Sequence, residues 1–327
     1  AGSLRGMGGR LRVTAQLIDA LGNRCVWAER YDRDLADIFG VQDEIVASII
    51  GSLDAEMRQE ERERAARKLP GELDAWELFH RGLWHVYRFT REEIAAGEEL
   101  FRQALARAPD FALPHAGLAY AAYVKAVWYF ASDPAVAVAE GLQHAQTAVS
   151  LDGGNAFCQV VLGRLLTLAG RLEASLHHLR LAIEMNPSFA QAHFGLAQAL
   201  VYAGEPAGAL DEIDTALRLS PKDPLRSMFL TLRSFCHFSL GDYDRAEAAA
   251  RSAMQLQWAE TWARLALCCA LVELGREDEA RRIAQETLRL EPGFTAEKFG
   301  RLVAHAPEQV RRRIWRDLAL AGIEAPR

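Results

Sequence analysis

The chain has 327 residues, 50% hydrophobic and 25% charged, with 38 basic and 44 acidic side chains for a formal charge of −6. That composition excludes disorder, collagen and a membrane bundle, and leaves room for two domains or one long repeat array. The charge is uneven: residues 1–68 carry 11 basic and 12 acidic groups, 69–292 carry 20 and 28, and 293–327 carry 7 and 4, so most of the molecule would repel a phosphate backbone.

The first 68 residues differ in kind from the rest. Strands are expected at about 2–6, 11–19 and 25–31. Leu11, Val13, Ala15 and Leu17 alternate with Arg12, Thr14 and Gln16, and a Gly22-Asn23 turn leads into a return strand from Val26 to Tyr31. Gly6-Met7-Gly8-Gly9 lacks the Lys-Ser/Thr of a phosphate loop and reads as a hairpin connection. Asp34 or Asp37 is placed to cap a helix with apolar residues at Val41, Ile45, Ile49, Leu53 and Met57. This helix turns polar from Arg58 to Lys68 and stops before Pro70. Glu60 to Arg64 mixes both signs at helical spacing, as an exposed linking helix does. The opening Ala1, with Gly2-Ser3 behind it, suggests a fragment of a longer protein.

From residue 69 an internal repeat dominates. Gly170, Gly204, Gly241 and Gly275 stand 34, 37 and 34 residues apart, and Pro187, Pro221 and Pro292 close three of the four units. Small residues follow each glycine at matched distances: Ser175, Ala209, Ala246 and Ala280, then Ala182, Ala216, Ala253 and Thr287. The pattern predicts a helix, a tight turn made possible by the glycine, and a second helix packed closely on the first. Two looser units precede these, around Gly82 to Pro109 and Leu118 to Leu151. Six units are expected between about Asp74 and Pro292. The fifth departs most, with Arg233-Ser234 at the Leu-Gly position and Trp258 for the proline.

No catalytic constellation emerges, and no cofactor or metal is expected. Glu173 and His177 lie four apart, which is half a metal site at best. The five cysteines, Cys25, Cys158, Cys236, Cys268 and Cys269, are odd in number and irregularly spaced, so a reducing cytoplasm fits better than a disulfide framework. Adjacent Cys268 and Cys269 read as core. No stretch is apolar enough to span a membrane, since Leu113 to Ala131 is interrupted by His115 and Lys125. The run Arg311-Arg312-Arg313 with Arg316 beside Trp315 is read as a solvated helix face rather than a nucleic-acid site.

The repeat resembles the tetratricopeptide repeat, in Leu162-Gly163, Gly170, Ser175, Ala182 and Pro187 and again in Leu196-Ala197, Gly204, Ala209, Ala216 and Pro221. The strings VTAQLIDA at 13–20, WAERYDRDL at 27–35 and DIFGVQDEI at 37–45 resemble the end of a TolB amino-terminal-like α/β domain. The fold class implied is an all-α superhelix of about six helix-turn-helix units. It would follow a partial α/β segment and linking helix (1–68), span 69–292, and end in a helical cap (293–327). Bacterial proteins with this arrangement commonly carry a class III adenylate/guanylate cyclase or a winged-helix domain upstream. The implied function is a non-enzymatic protein-protein interaction scaffold in signalling. Either effector would lie outside this chain.

The resemblance also projects Phe157, Val160, Arg164, Phe194, Gln198, Tyr202, Trp262 and Leu265 onto the concave face as the partner-binding surface. Only four lysines occur, none of them there, so an apolar segment or helix is the expected ligand rather than an acidic C-terminus. On this reading, changing Phe194 and Tyr202 together to alanine spares stability and abolishes binding. A homodimer through the open N-terminal strands is expected as well.

Overall fold

In a computed structural model of the chain, residues 2–7, 10–19, 24–34, 57, 62, 65, 73–128, 130–256, 260–291, 294 and 306–324 are described. Strands β1 (Gly2–Met7), β2 (Arg10–Asp19) and β3 (Arg24–Asp34) form an antiparallel sheet in the order β1-β2-β3. Gly2 pairs with Ala15 and Met7 with Arg10, while β2 and β3 pair from Arg10–Asp34 to Asp19–Arg24 with an irregularity at Leu17/Ile18. The expected hairpin is thus the second half of a three-stranded meander, and Ser3 and Thr14 hydroxyls meet across β1 and β2 at 2.7 Å. The Gly22-Asn23 turn, the caps at Asp37 and beyond, Trp258 and Pro292 lie outside the described residues.

The array is built from helix pairs. They are α1 (Ala75–Val86) with α2 (Arg91–Arg107), α3 (Ala112–Val127) with α4 (Pro134–Leu151), and α5 (Ala156–Leu168) with α6 (Leu172–Met185). Next come α7 (Ala190–Tyr202) with α8 (Pro206–Leu219), α9 (Arg226–Ser239) with α10 (Tyr243–Met254), and α11 (Glu260–Glu273) with α12 (Glu277–Leu290). A further helix, α13 (Glu308–Leu320), packs on α11. Local sequence sets the boundaries. Asp74 and Glu77 exchange hydrogen bonds with each other's backbone N–H to open α1, and the Asn155 and Asp242 side chains accept N–H bonds to open α5 and α10.

Gly170, Gly204, Gly241 and Gly275 take φ of +72°, +83°, +81° and +74°, the left-handed conformation the 34-residue spacing predicts for them. Behind each, the next N–H reaches back five residues: Arg171 to Leu166, Glu205 to Leu200, Asp242 to His237, Arg276 to Leu271. The fifth unit therefore keeps the repeat's turn. Its Ser234 is buried, with the hydroxyl donating to Ala246 C=O at 2.8 Å, twelve residues on. Ser175 donates to Gly163 C=O across the same twelve-residue interval, at 2.8 Å.

The first helix of each pair contacts the first helix of the next, so α1, α3, α5, α7, α9 and α11 form an inner layer. They are buried on most faces: nearly all of α3, α5 and α7 is removed from solvent, whereas α6 buries only Ser175, Leu179 and Ala182. Side chains of the outer layer wedge between successive inner helices where glycine leaves room. A Cβ on Gly82 or Gly117 would stand 2.4 or 2.7 Å from the Phe101 ring, and one on Gly163 or Gly195 would stand 2.6 or 2.7 Å from Leu179. The apolar core among the described residues runs in two large clusters, which border each other in α9 at Cys236 and Phe238, and two small ones.

At the C-terminal end, Val310, Ile314 and Leu318 of α13 cover the second cluster, and Gly322 at φ +92° ends the helix. The basic run is occupied within the chain. Arg313 donates to Tyr243 Oη at 2.8 Å and lies 5.0 Å above the Phe238 ring, Arg316 reaches Glu273 and Asp317 at 2.6 Å, and Arg312 pairs with Glu308. Asp317 is fully buried, and desolvation, only partly offset by Arg316, pushes its pKa up to about 6.

Two expectations follow. Gly163→Ala and Gly195→Ala should each cost about 1–3 kcal/mol in denaturant unfolding, because the new methyl overlaps the side chain of Leu179, which is fully buried and has no room to withdraw. Asp317 holds its proton in the folded chain between roughly pH 4 and 6 while the unfolded chain releases it, so the stability linked to it falls as pH rises through that window. The stability of wild type relative to Asp317→Asn should therefore decline between pH 4.5 and 7.5, measured as paired urea titrations.

Candidate functional site

Inside the curve, side chains from units that are not neighbours touch. Tyr123 on α3 donates to Gln198 Oε1 on α7 at 3.0 Å, and Tyr87, the residue capping α1, shares a hydrogen bond of 3.2–3.4 Å with the Gln191 side chain on α7. Gln191, Phe194 and Gln198 stand at i, i+3 and i+7, and Tyr120 and Tyr123 at i and i+3, so each set forms one stripe of its helix.

Arg164 of α5 lies between the two stripes and is wholly buried. Its Nη2 donates to Tyr123 Oη at 2.8 Å, and its guanidinium carbon stands 4.2, 5.1 and 5.9 Å from the rings of Tyr123, Phe194 and Tyr120. Ring faces therefore supply much of the negative potential that the buried cation lacks from water. Its Nε and Nη1 have no hydrogen-bond partner among the described residues. A carboxylate contributes too. Asp223, in the connection between α8 and α9, accepts from Leu225 N–H at 2.8 Å. Desolvation raises its pKa, while that bond, Ser220, Arg62 and Arg164 all favour the charged form. Burial likewise drives the Tyr120 hydroxyl well above its ordinary pKa.

Of the residues projected onto this face, Arg164, Phe194 and Gln198 come together in one network. Phe157 is buried against Phe79 and Tyr120, with ring centroids 6.1 and 6.2 Å apart, and Val160 and Leu265 are buried in the core. Tyr202 and Trp262 are half-buried. The expectation that Phe194 can be truncated without loss of stability is corrected here: it is 2% exposed and its ring lies 4.5 Å, centroid to centroid, from that of Phe229 at a tilt of 36°. Tyr87 and Tyr123 stand out in the sequence as repeat positions only, and Tyr120, Gln191 and Asp223 not at all, although the tyrosine and glutamine spacings carry the signal for this face. Arg62 was read as exposed, yet its guanidinium carbon lies 5.0 Å over the Tyr87 ring.

Burial pushes the thiols of Cys158, Cys236 and Cys268 up to about 12 and that of Cys269 well above its ordinary value, and all four are free. Glu173 and His177 are both exposed. Among the described residues no group of three metal-ligating side chains occurs, and no helix is long and apolar enough to cross a membrane.

Stacked helix pairs with an inner layer facing a curve define a solenoid of the protein-binding kind. Comparison with known proteins agrees. The tetratricopeptide repeat family model matches residues 161–224 and 201–260, and a second model of that description matches 237–306. A protein of Rhizobium meliloti (strain 1021) named "Putative adenylate cyclase 3" is 31% identical over 178 residues, covering 54% of this chain and 30% of that protein. The chain thus spans less than a third of this curated relative. The human IFIT1 dimer with m7Gppp-AAAA has a chain 17% identical, with a TM-score of 0.59 over 76% of this chain and 59% of that one. The APC/C hetero-tetramer Cut9-Hcn1 gives 14% and 0.58 over 81% and 46%. At such identities these two structures show the fold alone. The chain has the all-α fold of a tetratricopeptide repeat superhelix, and the repeats matched within 161–306 indicate a protein-interaction scaffold.

Phe194→Ala should cost about 3–5 kcal/mol in denaturant unfolding, since it empties the space between Arg164 and Phe229. Tyr202→Ala, at a half-buried site, should cost far less.

Proposed function

We propose that this chain is the regulatory or sensing region of a bacterial signalling protein, with its concave face as the partner site and a class III adenylate/guanylate cyclase as the effector it serves. The observation that carries the reading is the likeness to the Rhizobium protein named as a cyclase, of which the chain matches only part. The half-buried aromatics Tyr202 and Trp262 on the inner helices support the binding role, because rings already held by packing lose little entropy on recognition. Phe157, Val160, Arg164, Phe194, Gln198, Tyr202, Trp262 and Leu265 belong to or support that face, the accessible contacts coming from Tyr202, Trp262 and the rim around Tyr87. The segment 1–68 joins the effector to the array, and 293–327 caps it. The chain works in the cytoplasm, without nucleic acid or membrane.

β1 and β3 each pair only with β2 among the described residues, which leaves two sheet edges for a second copy. We infer a homodimer through these strands, since unpaired backbone groups at a sheet edge recruit another strand. Sedimentation equilibrium should give a mass near twice 36.3 kDa, and a single 36.3 kDa species at high concentration would exclude it.

Sequencing the gene upstream of Ala1 tests the main reading. It should encode a domain with the two metal-binding aspartates of a class III cyclase. A gene without that domain, or one encoding a winged helix, contradicts it.

A further inference from the structure

Counting back from the turn glycine puts the units in register. Six residues before it stand Arg164 in the third unit, Gln198 in the fourth and Cys269 in the sixth. Ten before it stand Phe194 in the fourth and Leu265 in the sixth, and two before it Tyr202 and Glu273. In the third and fourth units the residues six back point into the inner curve, where both Arg164 and Gln198 bond to the Tyr123 hydroxyl. In the sixth unit the same positions are covered by α13. Cys269 Sγ donates to Ile314 C=O at 3.9 Å, Glu273 accepts from Arg316 at 2.6 Å, and Leu265 is buried in the cluster that holds Val310, Ile314 and Leu318. The helix then runs back along the array. Its Leu320 C=O accepts from Arg281 of the sixth unit, its Arg313 bonds to Tyr243 of the fifth, and a Cβ on Gly204 of the fourth would stand 3.8 Å from Pro307, which precedes it.

We propose that α13 is an internal ligand seated on the concave face at the fifth and sixth units, and that the partner taken there is an amphipathic helix of the same pattern, which displaces α13 to bind. The proposal rests on the reading of the concave face as the partner site and adds the ligand class and its regulation. Three observations support it. The fit is that of a helix in a groove: Val310, Ile314 and Leu318 stand at i, i+4 and i+8, a single stripe turned onto the inner helix. The charges are complementary: Glu308–Leu320 carries four arginines and two carboxylates, against 20 basic and 28 acidic groups over 69–292. The seat is also imperfect. Asp317 is fully buried with its Oδ2 unpartnered among the described residues, and Arg316, which pairs with it, is 56% exposed. A carboxylate taken out of water and only partly met lowers the net gain of docking, so the helix is held less firmly than its apolar stripe alone would hold it.

The consequence is regulatory. A tethered helix competes at a high effective concentration, so a partner helix binds with an affinity reduced by the fraction of molecules in which the face is free. Partners weaker than α13 are excluded, and one that matches its stripe and its arginines gains entry. The last two units therefore act as a threshold on which helices the array accepts.

The test uses the full chain and a fluorescein-labelled synthetic peptide of residues 306–324, followed by anisotropy. A chain carrying Arg313→Ala and Arg316→Ala together loses the bonds from α13 to Tyr243 and Glu273 while its inner helices are unchanged. It should bind the peptide about tenfold more tightly than wild type. A peptide carrying Ile314→Asp should not bind, and adding Glu273→Gln to the doubly substituted chain should remove most of the gain. Melting curves check that each variant folds. Should the double variant not fold, Arg316→Ala alone, at an exposed side chain, replaces it with an expected gain of about threefold. Equal affinity for wild type and the folded variant, or no binding to either, overturns the proposal. Neither result bears on the identity of the effector, which the upstream gene decides.

Discussion

Two helices joined by a short turn can lie side by side only where their crossing carries small side chains, and this array meets that condition with residues twelve apart. Gly163 faces Ser175, Ser234 faces Ala246, and Cys268 faces Ala280 through its thiol at 3.5 Å. Close approach within a pair pushes one outer side chain forward, Phe101 in the first unit and Leu179 in the third, into a slot between two inner helices. That slot couples each unit to the next, since neither unit alone can bury the wedge. The curvature of the inner layer, and everything presented along it, follows from these contacts.

Curvature in turn brings together residues that the repeat keeps apart. In an ordinary solenoid each unit touches only its neighbours. Here Tyr123 meets Gln198 across an intervening unit, and Tyr87 meets Gln191 across two. Arg164, from the unit in between, is held by both sides at once. A buried arginine is costly unless its charge is met, and the rings of three residues with Asp223 nearby meet it. The first four units consequently form one body around a polar-aromatic centre, and recognition is confined to its rim.

What was legible in the sequence was what depends on local geometry. The turn glycines were readable because a positive φ excludes most other residues, and the four-unit phase from Gly170 to Gly275 followed from them. The fifth unit looked doubtful because Arg233-Ser234 stands at the Leu-Gly position and Trp258 at the proline, so that Ser234 takes the place of a glycine. Its hydroxyl satisfies a carbonyl there, which residue identity alone does not disclose. The concave site was half legible. Arg164, Phe194 and Gln198 fall on the right helices by repeat numbering, but whether a side chain faces solvent or another unit depends on curvature, a sum over many contacts. Arg62 was invisible for the same reason: a run of mixed charges reads as solvated until an aromatic face from the array, the Tyr87 ring, is placed beside it.

The central claim is that the inner face is bonded across non-adjacent units. A double-mutant cycle on Tyr123→Phe and Gln198→Leu, read by urea unfolding, tests it most directly, because the two residues are 75 positions apart and separated by a whole unit. The account requires a coupling energy of about 1 kcal/mol between them. Additive effects, within about 0.3 kcal/mol, would mean that the second and fourth units do not sense each other and would contradict it.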